Sequence, residues 1–394
     1  MKKHATNVGI DIGSSQTRVV VCGEPLSTSG IPTILGIGVA ESKGIRHGYV
    51  ANREEATASL KKALEHAQEE SGVRIRSATI AIGGIGISCE VATGTAVVSR
   101  ADSIVSHFDI EKAITEAEKL IEIKNKSILQ AIPIGFKVDG KELPTRPEGI
   151  IGGKLEVQTL FVMCLEQHLD DLIAVANDAG IKVTNFVAVP IAAERFLLTD
   201  LQKNFGCVLI DIGADTISIA VYENNVLTTL HVFGIGSLDI TKDIALGLRV
   251  TPEEAESLKL GVVSFQSIPK KKLDEVIEAR LTDIFELIDK YLKKIGRSAL
   301  LPAGAIIIGA GSFVPMTESV AKATLKLPVK LGRLDMPSAK GIVKDQRLLV
   351  AYCTAAADIA PLAAQPTSRR ASSGPSDGED FLSVIKGFFK QLMP

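Results

Sequence analysis

Paired metal-binding motifs, a charge of one dominant sign and long apolar runs are all missing from this chain of 394 residues. Its five cysteines, Cys22, Cys89, Cys164, Cys207 and Cys353, are scattered and form no CxxC pair. That leaves neither a disulfide framework nor a zinc site, and they read as small core residues in a reducing compartment. The six histidines show no HExxH spacing. Lysine and arginine number 44 against 46 acidic residues, a net charge of −2, so nothing draws the whole chain toward nucleic acid. No stretch approaches the roughly 18 apolar residues that a membrane-spanning helix needs. The opening residues Met1, Lys2, Lys3 and His4 are basic but run into a glycine-broken strand too short for a signal-peptide core. The expectation from these absences is a cytoplasmic protein that binds no nucleic acid.

With 46% hydrophobic and 23% charged residues in 41.8 kDa, the chain has the make-up of a globular protein of two to four domains. One stretch near the start organises the rest. Residues 8–21 (VGIDIGSSQTRVVV) read as an apolar strand, a Gly/Ser hairpin turn and a second apolar strand. The first strand brings Asp11 to the turn, and Gly13, Ser14 and Ser15 offer backbone N–H groups and hydroxyls that suit a phosphate. Beside phosphates, Asp11 would hold a divalent cation through water, as Mg²⁺ prefers. A single such hairpin is also an ordinary way to join two strands. The phrase returns at residues 208–221 (VLIDIGADTISIAV), and internal duplication is a signal about the whole fold.

In chain order, residues 34–40 form a third strand, and Asn52 with Glu55 opens a helix that runs to about Glu70 and ends at Gly72. From about Ser77 the pattern changes to short strands at 78–82, 87–92 and 95–98, a helix at 109–121 and two longer strands near 127–141 and 154–163. Pro133 should keep the first of those at an edge. Residues 78–160 therefore read as an inserted α+β subdomain. A helix at 166–179, a strand at 183–187 and a connecting helix at 190–201 lead to the second hairpin. Beyond it lie a strand at 226–232, a glycine-led helix start at Gly234, Gly236 and Ser237, helices at 252–259 and 273–295, and a strand ending in a glycine turn at 305–313 (AIIIGAGSF). A helix at 315–324, a short strand at 329–331 and a helix at 347–359 complete the body. Residues 361–378, rich in Pro, Ala, Ser, Thr and Gly, read as a flexible linker. At 379–394, Phe381, Leu382, Ile385, Phe388, Phe389 and Leu392 recur at helical spacing. That pattern fits a buried helix or, behind such a linker, an interfacial membrane anchor.

The two hairpins followed by Gly309, Gly311 and Ser312 resemble the phosphate-1, phosphate-2 and adenosine motifs of the actin/hexokinase/sugar-kinase ATPase superfamily. Within it, the chain resembles the bacterial cell-division FtsA family. The stretches that carry this are 44–52 (GIRHGYVAN), 81–89 (AIGGIGISC), 131–140 (AIPIGFKVDG) and the amphipathic tail. The resemblance implies an α/β, actin-like (ribonuclease H-like) duplicated ATPase core with an inserted α+β 1C subdomain and a C-terminal amphipathic helix. Subdomain 1A would comprise 1–77 and 161–203, 1C 78–160, 2A 204–233 and 300–360, and 2B 234–299.

It further implies ATP and Mg²⁺ as cofactors, with Asp11 and Asp211 on the metal side. Gly13, Ser14, Ser15 and Gln16 would form one phosphate turn, and Gly213, Asp215 and Thr216 the other. Gly234, Gly236 and Ser237 would approach the phosphates, Glu256 and Lys259 the ribose and base, and Gly309, Gly311 and Ser312 the adenosine. Glu256 and Lys259 also fit a plain solvated helix pair. Two departures stand out. Ala214 and Asp215 replace the usual glycines of the second turn, so Asp215 either adds a carboxylate facing the metal or repels phosphate. Val189 stands where hydrolytic relatives place a water-positioning Glu or Gln before PIAA, and Glu194 lies on another helical face. ATP binding with weak or no hydrolysis is expected. The implied partners are the C-terminal tail of the tubulin-like FtsZ, further copies in a filament, downstream division proteins, and the cytoplasmic membrane face at midcell. A PilM-like pilus-assembly protein is the alternative, and a sugar kinase or chaperone-type ATPase a third reading.

Overall fold

The structure is a computed structural model, described for residues 6–25, 31–99, 101–262 and 269–357. The chain divides into two compact units. The described residues of the first are 6–25, 31–85, 171–226, 231–262 and 269–357; those of the second are 86–99, 101–170 and 227–230.

The first unit begins with β1 (Asn7–Ile12), β2 (Gln16–Gly23) and β3 (Thr33–Glu41), a meander whose inward residues Ile10, Val19, Val21 and Ile34 are buried. A two-residue ribbon, β4 (Ile45–Arg46) and β5 (Tyr49–Val50), leads to α1 (Arg53–Ser71). That helix starts where the Asn52 side chain accepts the Glu55 N–H at 3.2 Å and stops at Gly72, which takes the left-handed conformation at φ 66°. Next comes β6 (Ser77–Ile82), and here the structure corrects the sequence reading. Residues 78–82 do not open the insertion; they form a central strand of the first sheet, parallel to β1. The reason lies in their composition: a run buried on both faces belongs between two parallel neighbours, not in a half-exposed antiparallel sheet.

The second unit is a four-stranded antiparallel sheet, β7 (Ser88–Val97), β8 (Lys126–Val138), β9 (Lys141–Leu143) and β10 (Lys154–Leu165), in the order β7-β10-β8-β9. On one face lies α2 (His107–Glu118), whose Ile110, Ala113, Ile114 and Ala117 pack on Leu155, Val157, Phe161 and Met163. β7 is one ten-residue strand where two short ones were expected. β9 covers only Phe136–Val138, so Pro133 meets just one neighbouring strand, beside a register shift at Gln158/Thr159. A residue without an N–H belongs at such a place.

The chain returns through α3 (Glu166–Asp178) to β11 (Lys182–Ala188), which pairs with β6. The expected single connecting helix is two, α4 (Val189–Leu197) and α5 (Asp200–Phe205), because Thr199 and Gln202 cap a fresh helix. β12 (Cys207–Ile212), β13 (Ile217–Glu223) and β14 (Val226–Phe233) then repeat the opening meander. Helices α6 (Ser237–Leu248), α7 (Pro252–Lys259) and α8 (Lys270–Lys294) follow, then β15 (Gly304–Ile308), α9 (Thr317–Leu325) and β16 (Val329–Leu331). Their shared core includes Ile210, Ile219, Ile240, Leu281, Phe285 and Ile307. Last, β17 (Met336–Ser338) and β18 (Gly341–Val343) extend the first sheet, and α10 (Leu349–Ala357) packs against β1 and β2. The sheet orders are β11-β6-β1-β2-β3-β17-β18 and β14-β13-β12-β15-β16. The core is thus a duplicated α/β fold.

Candidate functional site

The two hairpins are the same object built twice. β1 and β2 pair from Ile12↔Thr17, and β12 and β13 from Ile212↔Ile217, 200 residues later. In each turn the glycine N–H donates to the carbonyl three residues on: Gly13 to Gln16 at 3.2 Å, Gly213 to Thr216 at 2.9 Å. Asp11 and Asp211 therefore occupy equivalent registers, one residue before the last strand position. Their electrostatics show that they face one environment. Burial pushes the Asp211 carboxyl up to about 7, the negative charge of Asp11 adds to this, and Arg18 opposes it. Asp11 is also raised by burial, with Arg18 pulling it back. A carboxyl kept from ionising by burial and by a neighbouring carboxylate is one whose charged form an added cation would favour.

Arg18 is one residue that reading the sequence missed. It lies opposite Asp11 in the β1–β2 ladder, its guanidinium donates to Asp11 at 3.1 Å, and a second nitrogen donates to Gln16 Oε1 at 3.0 Å. The available signal was cross-strand pairing, which puts directly opposed residues on one face.

The glycine turn after β15 meets the same place. β12 and β15 run parallel with Asp211 opposite Ile308, so the next residue, Gly309, lands on the carboxylate. A Cβ on Gly309 would stand 2.2 Å from Asp211 Oδ1, and its φ of 84° is one that side chains rarely adopt. Gly311 packs on Ile212, while the Ser312 hydroxyl donates back to Gly309 O at 2.7 Å.

The start of α6 is pressed onto the second turn. A Cβ on Gly236 would lie 2.2 Å from Ala214 O. The N–H groups of Ser237 and Leu238 donate to Gly213 O and Ala214 O, both at 2.9 Å. Gly236 and Ser237 thus hold the turn by its carbonyls, while Gly234 lies exposed near Ile85. Lys259 and Glu256 are no solvated pair: Lys259 is 2% exposed. Its ammonium donates to Glu256 at 2.7 Å, Thr241 Oγ1 at 2.9 Å and Ser237 O at 3.2 Å. Burial lowers its pKa and Glu256 opposes that.

Asp215 has an unforeseen partner, His47, whose backbone N–H donates to its carboxylate at 3.2 Å. Val189 packs with Ala81 and Val350. Glu194 is turned to Lys203, 3.3 Å away. Among the described residues, no group of three or more His, Cys, Asp or Glu side chains could cage a metal. Asp11 and Asp211 supply carboxylate oxygens, the donors that a hydrated divalent cation takes from a protein. The amphipathic stretch with Phe381, Leu382, Ile385, Phe388, Phe389 and Leu392 lies outside the described residues.

The family model described as "Cell division protein FtsA" matches residues 208–357, and that of the "SHS2 domain inserted in FTSA" matches 86–163. The cell-division protein FtsA of Bacillus subtilis (strain 168) is 30% identical over 353 residues, 84% of this chain and 79% of that protein. Its counterpart from Pseudomonas aeruginosa is 28% identical, covering 82% of each chain. Among solved structures, the PilM-PilN type IV pilus biogenesis complex matches with a TM-score of 0.66 at 16% identity, covering 90% of this chain and 99% of that one. MreB5 of Spiroplasma citri bound to ADP matches at 0.51 and 12% identity, covering 89% and 94%. At such identities the last two speak for the fold alone.

Proposed function

The chain belongs to the FtsA family of cell-division proteins, and from that premise we propose that it is a nucleotide-switched scaffold. It takes ATP with Mg²⁺ between its paired turns, polymerises, and ties the FtsZ ring to the membrane. The observation that carries the nucleotide reading is the convergence of Asp11, Asp211 and Gly309. A turn at each of two equivalent strand ends, with a side-chain-free approach beside them, has the outline of a phosphate chain leading to a nucleoside.

In this reading Asp11 and Asp211 hold the hydrated cation, which when bound neutralises the phosphates and both carboxylates. Gly13 and Gly213 have their N–H groups engaged in closing the turns. Phosphate contacts therefore fall to Ser14, Ser15, Gln16 and Thr216, with Arg18 as the fixed positive charge. Gly309, Gly311 and Ser312 offer backbone to the adenosine, and Glu256, held in place by buried Lys259, reaches the ribose. The attachment is proposed from the family and from the helical spacing of Phe381 to Leu392 behind a linker. One short interfacial helix binds weakly, so a filament would supply the avidity. The FtsZ tail and downstream division proteins are the proposed partners, at midcell on the cytoplasmic face. The likeness to PilM rests on fold alone.

The test is electron microscopy on anionic lipid monolayers with Mg·ATP, using the full chain and a chain truncated after residue 378. Aligned filaments from the full chain and bare lipid from the truncated one are expected. Monomers only, or equal binding by both, would refute the scaffold or the anchor respectively.

A further inference from the structure

Residues 42–48 form a strap between the two phosphate turns. At one end, the Ser42 N–H donates to Ser15 O at 3.0 Å, and the Ser42 and Thr17 hydroxyls share a hydrogen bond of 2.7 Å. Midway, the Lys43 N–H donates to Ser59 Oγ at 3.0 Å, fixing the strap on α1. At the other end, His47 meets Asp215 twice. Its backbone N–H donates to Asp215 Oδ2 and its Nδ1 lies on Asp215 O, each at 3.2 Å. A carbonyl only accepts, so Nδ1 carries the proton. The tip is tightly placed. His47 takes a left-handed φ of 48°, and a Cβ on Gly48 would stand 2.6 Å from Gly84.

The geometry points to His47 as a positioning residue for the second phosphate turn, acting through Asp215. Both observations bear on the same turn: α6 grips the carbonyls of Gly213 and Ala214, and His47 grips Asp215. Between them, every residue from 213 to 215 is tied from outside. The Asp215 carboxylate is thereby turned to the strap. It answers the question raised by the departure from glycine at this position with a third role, an acceptor that stiffens a turn whose backbone a glycine pair would leave looser. Because the strap also holds Ser15, the six residues from Ser42 to His47 set how far apart the two turns stand, and a ligand touching both turns is bound against a pre-set spacing.

This rests on the nucleotide reading, so the experiment separates the two. His47→Ala, His47→Gln and Asp215→Asn are made in the full chain. Binding of a fluorescent ATP analogue with Mg²⁺ and amide exchange at residues 213–216 without nucleotide are both measured. Ala and Gln bear the same left-handed backbone cost, so their difference isolates the side-chain donor. His47→Ala is expected to weaken binding about three- to tenfold, the span of one hydrogen bond, and to speed exchange in the turn. His47→Gln, which can offer an N–H, should recover most of the loss, and Asp215→Asn, which keeps an acceptor oxygen for the His47 N–H, should leave exchange in the turn close to that of the unaltered chain. Unchanged exchange in His47→Ala overturns the proposal whatever the ligand. Faster exchange with unchanged binding overturns the positioning role but leaves nucleotide binding standing. Absence of binding by the unaltered chain refutes the nucleotide reading instead, and the exchange data then decide the strap by themselves.

Discussion

At the scale of single residues, the site turns on Asp211. Its carboxyl, normally near 3.8, sits at about 7 because it is buried and faces Asp11, with Arg18 as partial relief. The folded chain therefore binds this proton more tightly than the unfolded chain, and stability is fully present below the ordinary value and lost as pH rises through about 7. The loss is at most about 4 kcal/mol, since each tenfold change in proton affinity is worth about 1.4 kcal/mol, and less wherever water reaches the pair. Without Mg²⁺, the unfolding midpoint should fall between pH 5 and pH 8, and Asp211→Asn should flatten that slope. Equal slopes for both proteins would show that the Asp11–Asp211 pair is not what titrates. Arg18 shows why the residue scale was only half legible. Its register partner Asp11 could be counted off the hairpin, but that the guanidinium folds back to Asp11 and Gln16 depends on the space around them.

At the scale of elements, close approach of one backbone to another requires glycine at several places. The insertion gives a case that can be tested apart from the site. In β7, a Cβ on Gly94 would stand 1.9 Å from Ala113 O and 2.4 Å from Ala117 N, both in the body of α2. The helix must move to admit it, at a cost of roughly 1–3 kcal/mol or more. Because this unit has its own core, Gly94→Ala should raise hydrogen exchange and protease cutting across residues 88–165 while β1, β2, β12 and β13 stay protected. Loss of protection in both units alike would contradict that independence. Local signals placed the caps well: Asn52 and Gly72 bound α1 as read. They placed the start of the insertion badly, since whether the apolar run at 78–82 pairs with β1 or with β7 is decided by strands distant in sequence.

At the scale of the molecule, duplication makes a place for a ligand but does not by itself make a hydrolase. Val189 begins α4 and is buried with Ala81 and Val350, so nothing polar is offered there to orient a water. Glu194 is drawn to Lys203 and raised by burial. Phosphate release from saturating Mg·ATP should stay below about 1 s⁻¹, the low end of ordinary enzymes. A faster rate would mean that another group positions the water.

The repeat of an Asp between isoleucines ahead of a glycine turn, and the glycine turn after a third apolar strand, were enough to signal a duplicated core and to place its two hairpins. That follows because strand alternation and turn chemistry are local properties of a chain. Only the tertiary structure decided how those motifs meet: Gly309 against the Asp211 carboxylate, Arg18 on Asp11, Lys259 buried on Glu256, and His47 reaching across 168 positions to Asp215. The first and last of these contacts join residues far apart in sequence, while Arg18–Asp11 and Lys259–Glu256 are local pairs whose burial is set by what packs over them once the sheets have formed.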